Sequence, residues 1–510
     1  MADSHQTEMP HSPGRLPVAE YDVVIVGSGF SGIAMGYQLE RAGVGSFVIL
    51  ERAEGPGGTW RDNSYPGAAC DVPSYLYSFS FEPNPAWSRF FAPQPEIRSY
   101  LLHCLEKFGL ASKVRYRSEV IAARFDRGIS RWRVATRTGQ QYLARVLVLG
   151  NGPLSNPAEP QIPGLGDFTG ESFHSARWNH DWLAEGRRVA VIGTGASAIQ
   201  IVPQLAPAAA RLYVLQRTPP WILPREDAAV GSRQRTLLSR HPWLHWLYRA
   251  SIYWRYELRA FGFTLHRSLL APGRWRALAH LRRQVSDPDL RRRLTPEYEF
   301  GCKRVLLSDD YYPALQRENV DLVTSPIERV TPHGILCRDG IERRVDTLVL
   351  ATGFAATEYL STIDVRNDEG LRLDEQREGL PETYLGIAVS GFPNLFLLMG
   401  PNTGLGHNSM IFMIEAQARY ARQAIERLLT DQGAVMEVRP EVQAAFDIGL
   451  RARLDRSVWN SGCHSWYLKG ERNPVIWPGH TFEYWWKTRR LDPRDYRWAV
   501  SAKRPAASKT

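Results

Sequence analysis

Residues 21–32 read YDVVIVGSGFSG, a short apolar strand that runs into a glycine-rich turn. A helical stretch follows, and a second apolar strand, FVIL, then leads directly to Glu51. This order of strand, turn, helix and strand is the context in which Gly-x-Gly-x-x-Gly binds a dinucleotide. Gly27 permits the tight turn, Gly29 lets backbone approach a pyrophosphate, and Gly32 lets the helix pack closely. The pattern predicts a dinucleotide site in which Glu51 accepts hydrogen bonds from a ribose.

A second copy of this unit begins near Arg188. The strand VAVI is followed by the turn GTGASA and a helix, and a later strand, YVLQ, leads to Arg217. A shift of 166 residues lays the first unit on the second, with Gly32 falling on Ala198 and Glu51 on Arg217. The residues of the second turn that are expected to face a nucleotide are Gly193, Thr194, Gly195, Ala196, Ser197 and Ala198.

The two units differ in the charge at the end of their second strand. An acid such as Glu51 hydrogen-bonds a free ribose diol and repels a phosphate, whereas an arginine such as Arg217 accommodates a 2′-phosphate. We therefore assign FAD to the first unit and NADPH, rather than NADH, to the second. Thr218 can bond the same phosphate; the alternative is that Arg217 is a surface charge. Two nucleotide sites in one chain imply hydride transfer from nicotinamide to flavin.

Composition sets the class of protein. The chain has 510 residues, of which 44% are hydrophobic and 23% are charged, which predicts a soluble globular protein of about three domains. It contains no apolar run of 18 residues and no signal-peptide pattern, so we expect a cytoplasmic protein. The histidines show no metal-ligand spacing, and no metal is expected. The cysteines are odd in number and widely spaced, which predicts no disulfide framework: Cys70, Cys104, Cys302, Cys337 and Cys463.

Most of the basic excess lies in residues 221–300. This stretch holds 15 Lys and Arg against 7 Asp and Glu, and so supplies +8 of the net charge of +10. Apolar residues recur there at helical spacing, from Trp243 to Leu258, with Arg249, Arg255 and Arg259 between them. The pattern predicts a packed helical layer with solvated arginines. A membrane-surface or lid role is the alternative, and the absence of a recognised motif argues against nucleic acid.

With these units in place, the sequence resembles the class of flavoprotein monooxygenases that contains the type I Baeyer-Villiger enzymes. The flavin-containing and N-hydroxylating monooxygenases are further relatives. The resemblance runs from about residue 22 to about residue 497. It is carried, in the family's order, by GGTW (57–60), YPGAACDVPSYLYSFSF (65–81), FTGESFHSARWN (168–179), CKRVLL (302–307), ATGF (351–354) and GPNTGLGHNS (400–409).

The resemblance and the paired units together predict an α/β fold with two Rossmann-like dinucleotide-binding domains and a helical insertion. Strand-like VLVLGNG and LVLATGF are expected to return to the parallel sheets, and NLFLLMG to bring the chain back to the flavin domain. The expected division is a tail at 1–19, an FAD domain at 20–155 and 380–500, an NADPH domain at 156–220 and 296–379, an insertion at 221–295 and a tail at 501–510.

The family signature is present with one departure. Phe168, Gly170, His174 and Trp178 match it, while Asn179 stands where the family has Pro or Asp. We interpret His174 and Trp178 as a linker that couples the motion of the two nucleotide domains; ordinary packing is the alternative. The departure bears on the subfamily and on ketone oxidation, because flavin-containing relatives also vary at this end.

The resemblance implies that one oxygen atom from O2 is inserted beside a ketone carbonyl through a C4a-peroxyflavin, giving an ester or lactone, with sulfide oxygenation as a side activity. Arg304 matches the family's catalytic arginine, and Asp71 matches the acid that pairs with it. The peroxide attacks a ketone only as the anion, which a permanently charged guanidinium favours. Taken alone, Arg304 would be a surface salt bridge, and Asp71 an Asx-type turn.

Further cofactor contacts are implied by position. Phe30 lies in the first turn, and Thr59, Trp60, Tyr77 and Val120 fall on flavin-contacting family positions, although aromatic residues alone would be assigned to the core. Lys303 would touch the nicotinamide nucleotide, and Trp466 would close over NADP and substrate, with solvation and packing as the respective alternatives. The rival functions are an amine- or sulfide-oxygenating monooxygenase, an NADPH-flavin reductase that transfers no oxygen, and a flavin-binding interaction module.

Overall fold

The structure is a computed structural model that describes residues 18–375, 380–431, 433–463, 467–470 and 472–500. The expected tails lie almost entirely outside these residues, and so does Trp466. The first strand begins at Ala19, the last residue assigned to the N-terminal tail. None of the described helices combines the length and apolarity needed to cross a bilayer.

The described chain contains both strands and helices, in the order of their numbers within each type. The strands are β1 (Ala19–Val26), β2 (Phe47–Leu50), β3 (Val114–Arg115), β4 (Val120–Asp126), β5 (Arg131–Thr136), β6 (Gln141–Leu149), β7 (Glu171–His174), β8 (Arg188–Ile192), β9 (Arg211–Leu215), β10 (Ile222–Leu223), β11 (Leu306–Leu307), β12 (Val320–Val323), β13 (Ile327–Thr331), β14 (Gly334–Cys337), β15 (Glu342–Arg344), β16 (Thr347–Leu350), β17 (Asp364–Arg366), β18 (Leu395–Leu397), β19 (Ala434–Val438) and β20 (Tyr496–Val500). The helices are α1 (Phe30–Arg41), α2 (Thr59–Asp62), α3 (Gln94–Lys107), α4 (Ala198–Leu205), α5 (Ser232–Arg240), α6 (Pro242–Thr264), α7 (Ala271–Gln284), α8 (Pro288–Arg293), α9 (Tyr311–Ala314), α10 (Met410–Thr430), α11 (Pro440–Leu454) and α12 (Thr481–Thr488).

The first sheet has the order β17-β4-β5-β6-β1-β2-β3, and β18 also pairs with β6. Its central strand β1 is parallel to both β2 and β6. Val23 and Ile25 pack into one hydrophobic cluster, and Val24 and Val26 pack into another. Both faces of the strand are therefore covered, which explains why the run VVIV is apolar without alternation. The expected return of NLFLLMG to this sheet is confirmed by β18.

The second sheet repeats the plan with the order β12-β9-β8-β16-β7. Strand β8 lies parallel to β9 and β16. Val189 and Val191 face the cluster that includes helix α4, whereas Ala190 and Ile192 face the opposite cluster. Each sheet has a parallel centre with a glycine turn after one of its strands, β1 or β8, which confirms the predicted α/β fold with two dinucleotide-binding units.

One boundary differs from the expectation. Strand β17 pairs with β4, with Asp364 opposite Ala122, so the chain has returned to the first sheet well before residue 380. The sequence DVR has no apolar run, and nothing local indicates to which sheet so short an edge strand belongs. We propose that the other boundaries between the FAD, NADPH and insertion segments lie where the sequence predicts them.

The insertion is helical, as predicted, and contains α5, α6, α7 and α8. Helix α6 buries Ile252 and Ala260, and Glu257 is buried as well. Arg255 and Arg259 are exposed, but Arg249 is not the solvated arginine that the sequence predicts. Its guanidinium donates to the Tyr75 carbonyl at 2.7 Å and to Ser78 at 2.9 Å. Arg249 thus supplies hydrogen-bond donors to the buried carbonyls of Tyr75 and Ser78. Helical spacing alone does not show which arginine makes such contacts.

A disulfide joins Cys302 to Cys463 across 161 residues, with 6.3 Å between the two Cα atoms. Cysteine spacing predicts no disulfide, and this prediction is wrong because the pair is brought together only by the tertiary fold. Cys302 directly precedes Lys303 and Arg304, so the bond ties the segment that carries the predicted catalytic arginine to the C-terminal part of the chain.

We expect three reactive thiols when the oxidised protein is denatured and labelled without a reductant. Cys70, Cys104 and Cys337 are free and buried, so they become reactive only on unfolding. Mass spectrometry of the labelled chain gives the count, and a reduced sample provides the control with all five cysteines labelled. Five labelled cysteines without reductant would contradict the disulfide and would favour the reducing, cytoplasmic location that the sequence predicts.

Candidate active site

The first glycine turn is shaped to receive a bound anion. Gly27 has φ +95°, and a Cβ on Gly32 would lie 1.9 Å from the Gly27 carbonyl oxygen. A Cβ on Gly29 would meet nothing closer than Gly58 Cα, at 3.7 Å. No side chain caps the N-terminus of α1, so its first backbone N–H groups are available to a ligand. This cradle fits the pyrophosphate of FAD.

Glu51 lies at the end of β2, beside this turn, as predicted. It is buried, and its carboxylate accepts from Ser28 N at 2.8 Å, Ser28 Oγ at 2.7 Å and Ala53 N at 3.0 Å. A carboxylate has roughly four acceptor positions, so one is left for a ribose hydroxyl. Val120 begins the neighbouring strand β4, close to Ser118, whose N–H donates to the Glu51 carbonyl at 2.8 Å.

Replacing Gly32 with alanine is expected to lower the flavin content of the purified protein about tenfold or more, because the new methyl group would push against backbone that forms the cradle. Flavin absorbance per chain measures the effect. Gly45→Ala is the matched control, since a Cβ there meets nothing within 4 Å and Gly45 lacks a positive φ. Normal flavin content in the Gly32 variant would contradict the assignment of this turn to FAD.

The predicted flavin-contacting aromatics come together in front of the turn. The ring of Tyr77 lies 5.3 Å from that of Phe30 and 5.6 Å from that of Trp60. Trp60 Nε1 donates to the Tyr77 hydroxyl at 3.0 Å, and Thr59 begins the short helix α2 that carries Trp60. Burial raises the pKa of Tyr77, which keeps its hydroxyl protonated. These side chains form one wall that fits a planar ring.

Asp71 and Arg304, 233 residues apart in sequence, form a bidentate ion pair. Arg304 Nε donates to Asp71 Oδ2 at 2.8 Å, and Nη2 donates to Oδ1 at 2.7 Å. The Asp71 carboxylate holds the pKa of Arg304 above its usual value. Burial acts to raise the pKa of Asp71, but the guanidinium outweighs this and the net pKa lies below the usual range. Both groups therefore stay charged from about pH 6 to about pH 9.

The charges of Asp71 and Arg304 both act on the hydroxyl of Tyr77, which indicates that the ion pair lies next to the aromatic wall. Three further residues that sequence reasoning missed surround it. Arg225 donates to the Cys70 carbonyl at 3.2 Å. Burial raises the pKa of Tyr256, on α6, and the negative charge of Asp71 adds to this effect. Burial raises the pKa of Tyr467 to about 12, and the nearby positive charge of Arg304 acts on its hydroxyl in the opposite direction. Tyr467 directly follows Trp466, which lies outside the described residues.

Replacing Tyr467 with phenylalanine is expected to lower kcat for oxygenation about tenfold, because Arg304 loses a neighbouring hydroxyl that helps to orient it. NADPH-driven flavin reduction should keep its rate, and hydrogen peroxide release should rise. Stopped-flow absorbance and a peroxide assay separate these effects. Tyr311→Phe is the control, since Tyr311 is equally buried but the neighbouring group that acts on its hydroxyl is Tyr312 and not Arg304. Equal kcat in both variants would exclude a positioning role.

The second glycine turn has the same design. Gly193 has φ +118°, and a Cβ there would lie 2.4 Å from the Ala351 carbonyl oxygen, whereas a Cβ on Gly195 would meet nothing within 4 Å. Ser197 precedes α4, which Ala198 begins, without capping it by its side chain. Thr194 Oγ1 donates to the Thr218 carbonyl at 3.0 Å, which fixes the turn to the residue after Arg217. The open side of the turn fits a second pyrophosphate.

Two cations meet beside this turn. Arg217 is exposed and has no carboxylate partner in the part of the chain that the structure describes. Lys303 is half-buried, with Nζ 4.6 Å from the Tyr298 ring. Burial, and then the charge of Arg217, lower the pKa of Lys303. Arg217 and Lys303 repel each other, and a bound phosphate would neutralise both charges. The arrangement therefore fits a 2′-phosphate.

The loop that carries Asp71 is fastened to the second unit. The Tyr65 hydroxyl donates to Gln200 Oε1 at 3.0 Å, and Gln200 Nε2 donates to the Ala69 carbonyl at 3.0 Å. A Cβ on Gly67 would lie 2.7 Å from the Gln200 carbonyl oxygen. Helix α4, which starts at the NADPH turn, thus sets the position of the segment that leads to Asp71.

The signature residues pack at the edge strand of the second sheet. His174 ends β7 and is buried; its Nδ1 accepts from Ala176 N at 3.0 Å, and its ring lies 5.9 Å from that of Phe354. Burial lowers the pKa of His174, so it is neutral at ordinary pH. Trp178 packs edge-on against Phe173 and Trp182. Phe168 is partly buried and packs against a hydrophobic cluster of this sheet, and Gly170 lies against Asp346.

Comparisons with known proteins agree with this geometry. Residues 25–93 match the model of an NAD(P)-binding Rossmann-like domain, and residues 75–223 match that of L-lysine 6-monooxygenase/L-ornithine 5-monooxygenase. A protein of Pseudomonas aeruginosa named Baeyer-Villiger monooxygenase is 44% identical over 500 residues, which cover 97% of this chain and 95% of that protein. One of the same name from Streptomyces coelicolor is 45% identical over 478 residues, covering 93% and 92%.

Solved structures show the same relationship. The closed crystal structure of cyclohexanone monooxygenase superimposes with a TM-score of 0.86 at 28% identity, over 95% of this chain and 100% of that one. Oxidized steroid monooxygenase bound to NADP gives a TM-score of 0.84 at 32% identity, over 95% and 99%. The resemblance inferred from the motifs is confirmed, and so are the predicted fold and the two cofactors, FAD and NADPH. The chain belongs to the Baeyer-Villiger monooxygenase family.

Proposed function

We propose that this flavin monooxygenase converts a ketone to an ester or lactone, and that Arg304, held by Asp71, is the catalytic residue. The reaction consumes the ketone, O2, NADPH and one proton, and yields the ester, NADP+ and water. Bound FAD, reduced by NADPH, supplies the electrons that activate O2. The observation that carries the proposal is the bidentate Asp71–Arg304 pair next to the aromatic wall.

The role of Arg304 follows from its charge. A nucleophilic oxygen must be anionic to add to a carbonyl carbon, and addition places a negative charge on the former carbonyl oxygen. A fixed guanidinium stabilises both anions in a site from which water is excluded. Asp71 orients the guanidinium through two parallel hydrogen bonds, and Tyr467 adds a third contact. Because neither charge titrates near neutral pH, the arginine keeps this function across the working range.

The cofactor residues have separate roles in the proposal. Gly27, Gly29 and Gly32 would hold the FAD pyrophosphate, and Glu51 its ribose, while Phe30, Thr59, Trp60, Tyr77 and Val120 would contact the remainder of the flavin nucleotide. The second turn, from Gly193 to Ala198, would hold the NADPH pyrophosphate. Arg217, Thr218 and Lys303 would bind its 2′-phosphate, and Trp466, which lies outside the described residues, would close over NADP and substrate.

Oxygenation of an amine or a sulfide is the second candidate. It is supported by the match of residues 75–223 to the L-lysine 6-monooxygenase/L-ornithine 5-monooxygenase model. Such a reaction uses an electrophilic oxygen and does not require an arginine charge. The ion pair, which keeps a cation fixed at the aromatic wall, favours the ketone.

A panel of ketones, sulfides and amines tests the proposal in the presence of the purified holoenzyme, NADPH and O2. Product mass, NADPH consumption and hydrogen peroxide release are measured together. A ketone product heavier by one oxygen atom, with the fragmentation of an ester or lactone, is expected. Turnover of amines or sulfides alone would establish the second candidate, and peroxide release equal to NADPH consumption with every compound would contradict both. Fractionation of cells tests the cytoplasmic location that we propose for this reaction.

A further inference from the structure

The outer side of α6 is apolar and exposed. Successive residues of an α-helix are rotated by about 100°, so the exposed apolar residues from Trp243 to Leu258 fall within an arc of about 120°. The exposed fraction of each side chain is large: 63% for Trp243, 66% for Trp246, 47% for Leu247, 52% for Trp254 and 61% for Leu258. Ile252 and Ala260, which lie outside this arc, are buried. Several exposed tryptophans on one side of a long helix indicate a surface that binds a membrane or another protein.

Helix α12 extends this surface. Phe482 is 45% exposed and Trp486 is 58% exposed, and they lie one turn apart on the same side of α12. The ring of Phe482 lies 6.2 Å from that of Trp254. Buried Glu257 joins the two helices, because its carboxylate accepts from Thr481 N at 2.6 Å and from Asn408 Nδ2 at 2.6 Å. We call Trp243, Trp246, Trp254, Leu258, Phe482 and Trp486 the tryptophan face.

Positive charge surrounds the tryptophan face. Residues 231–286 contain eleven arginines and a single acidic residue, Glu257, which is buried. Arg240 and Arg255 are exposed, and neither forms an ion pair within the described ranges. Exposed Lys487 lies on α12, and the Arg489 guanidinium lies 3.1 Å from the ring centre of Trp486. The surface thus combines interfacial aromatics with unneutralised cations.

We propose that the tryptophan face docks on the surface of an anionic phospholipid bilayer, with α6 and α12 lying in the headgroup region. Tryptophan is suited to this boundary because its ring is apolar and its N–H group can hydrogen-bond. Each arginine near an anionic leaflet strengthens the attraction. A second copy of the chain fits less well, since face-to-face contact would bring two arginine-rich surfaces together.

Docking would place the bilayer close to the candidate active site. The inner side of α6 carries Tyr256, which senses the charge of Asp71, and Arg249, which holds the carbonyls of Tyr75 and Ser78. One helix diameter, about 10 Å, therefore separates lipid from the wall of the site. An apolar ketone dissolved in the bilayer would have a short path to Arg304. This consequence rests on the proposed function, whereas the docking does not.

Flotation of the full-length holoenzyme with vesicles tests the proposal. One vesicle set contains equal parts of phosphatidylglycerol and phosphatidylcholine, and the other contains phosphatidylcholine alone. At about 0.1 M salt we expect flotation with the anionic set, and at least a tenfold weaker partition with the neutral set or in about 0.5 M salt. The double variants Trp243→Ser/Trp246→Ser and Arg240→Glu/Arg255→Glu should each bind the anionic vesicles at least about tenfold more weakly.

The matched control is Leu183→Ser/Ile341→Ser, which removes two apolar side chains that are 66% and 54% exposed outside the insertion. It should float like the wild-type enzyme. NADPH oxidation without vesicles should be unchanged in all three variants, which shows that they fold and makes flotation independent of the substrate. Wild-type enzyme that fails to float, tryptophan variants that float equally well, or equal binding to neutral vesicles would each overturn the proposal. So would a dimer in light scattering that the tryptophan variants dissociate.

Discussion

Replacing Arg304 with alanine is expected to lower kcat for ketone oxygenation at least about a hundredfold, because a fixed positive charge no longer stabilises the anions that form during addition. Reduction of FAD by NADPH should continue, since neither glycine turn is altered. The electrons should then appear as hydrogen peroxide. Product formation, NADPH oxidation and peroxide release are measured in one reaction. Together they give the fraction of electrons that goes to oxygenated product and the fraction that goes to hydrogen peroxide.

Two further variants sharpen this prediction. Arg304→Lys keeps a positive charge but cannot make two parallel hydrogen bonds to Asp71, so its activity should lie between the wild-type and alanine values. Arg338→Ala, at an exposed arginine on the hairpin of the second unit, is the control and should retain full activity. Ketone turnover in Arg304→Ala close to the wild-type rate would contradict the catalytic role and favour amine or sulfide oxygenation.

Replacing Arg217 with alanine is expected to lower the preference for NADPH over NADH, expressed as the ratio of the two kcat/KM values, about a hundredfold. The loss should come from NADPH, because only NADPH carries the 2′-phosphate that Arg217 and Lys303 are placed to neutralise. kcat/KM for NADH should change little. Steady-state NADPH and NADH oxidation with one saturating ketone measures both values.

Arg211 supplies the matched control for Arg217. It stands at the other end of the same strand, β9, and is paired with Asp321. Arg211→Ala should leave the NADPH preference unchanged. Equal losses of kcat/KM for NADPH and NADH in the Arg217 variant would contradict a 2′-phosphate contact and favour the simpler interpretation that Arg217 is a surface charge whose removal perturbs the fold.

Local chemistry made both nucleotide units predictable. A tight turn at Gly27 and close packing at Gly32 need glycine whatever surrounds them, and the structure shows that a Cβ would collide with backbone at either position. The difference between Glu51 and Arg217 could also be predicted, because each residue directly follows the second strand of its unit. The structure adds that Arg217 and Lys303 lie close enough to influence each other.

Long-range contacts could not be predicted in this way. Asp71 and Arg304 were paired only through the family resemblance, because no local pattern joins residues 233 positions apart. Tyr467 was missed because its role depends on where the C-terminal chain passes Arg304, and the Cys302–Cys463 bond was missed for the same reason. Arg249 was misassigned because helical spacing does not show which arginine faces buried carbonyls.

An experimental structure of the holoenzyme with FAD and NADP bound tests the central claim most directly. We expect the Arg304 guanidinium, still paired with Asp71, to contact the edge of the flavin ring system, and the 2′-phosphate to lie between Arg217 and Lys303. A guanidinium that turns to solvent, away from the flavin, would contradict the ester-forming mechanism even with both nucleotides bound in their expected turns.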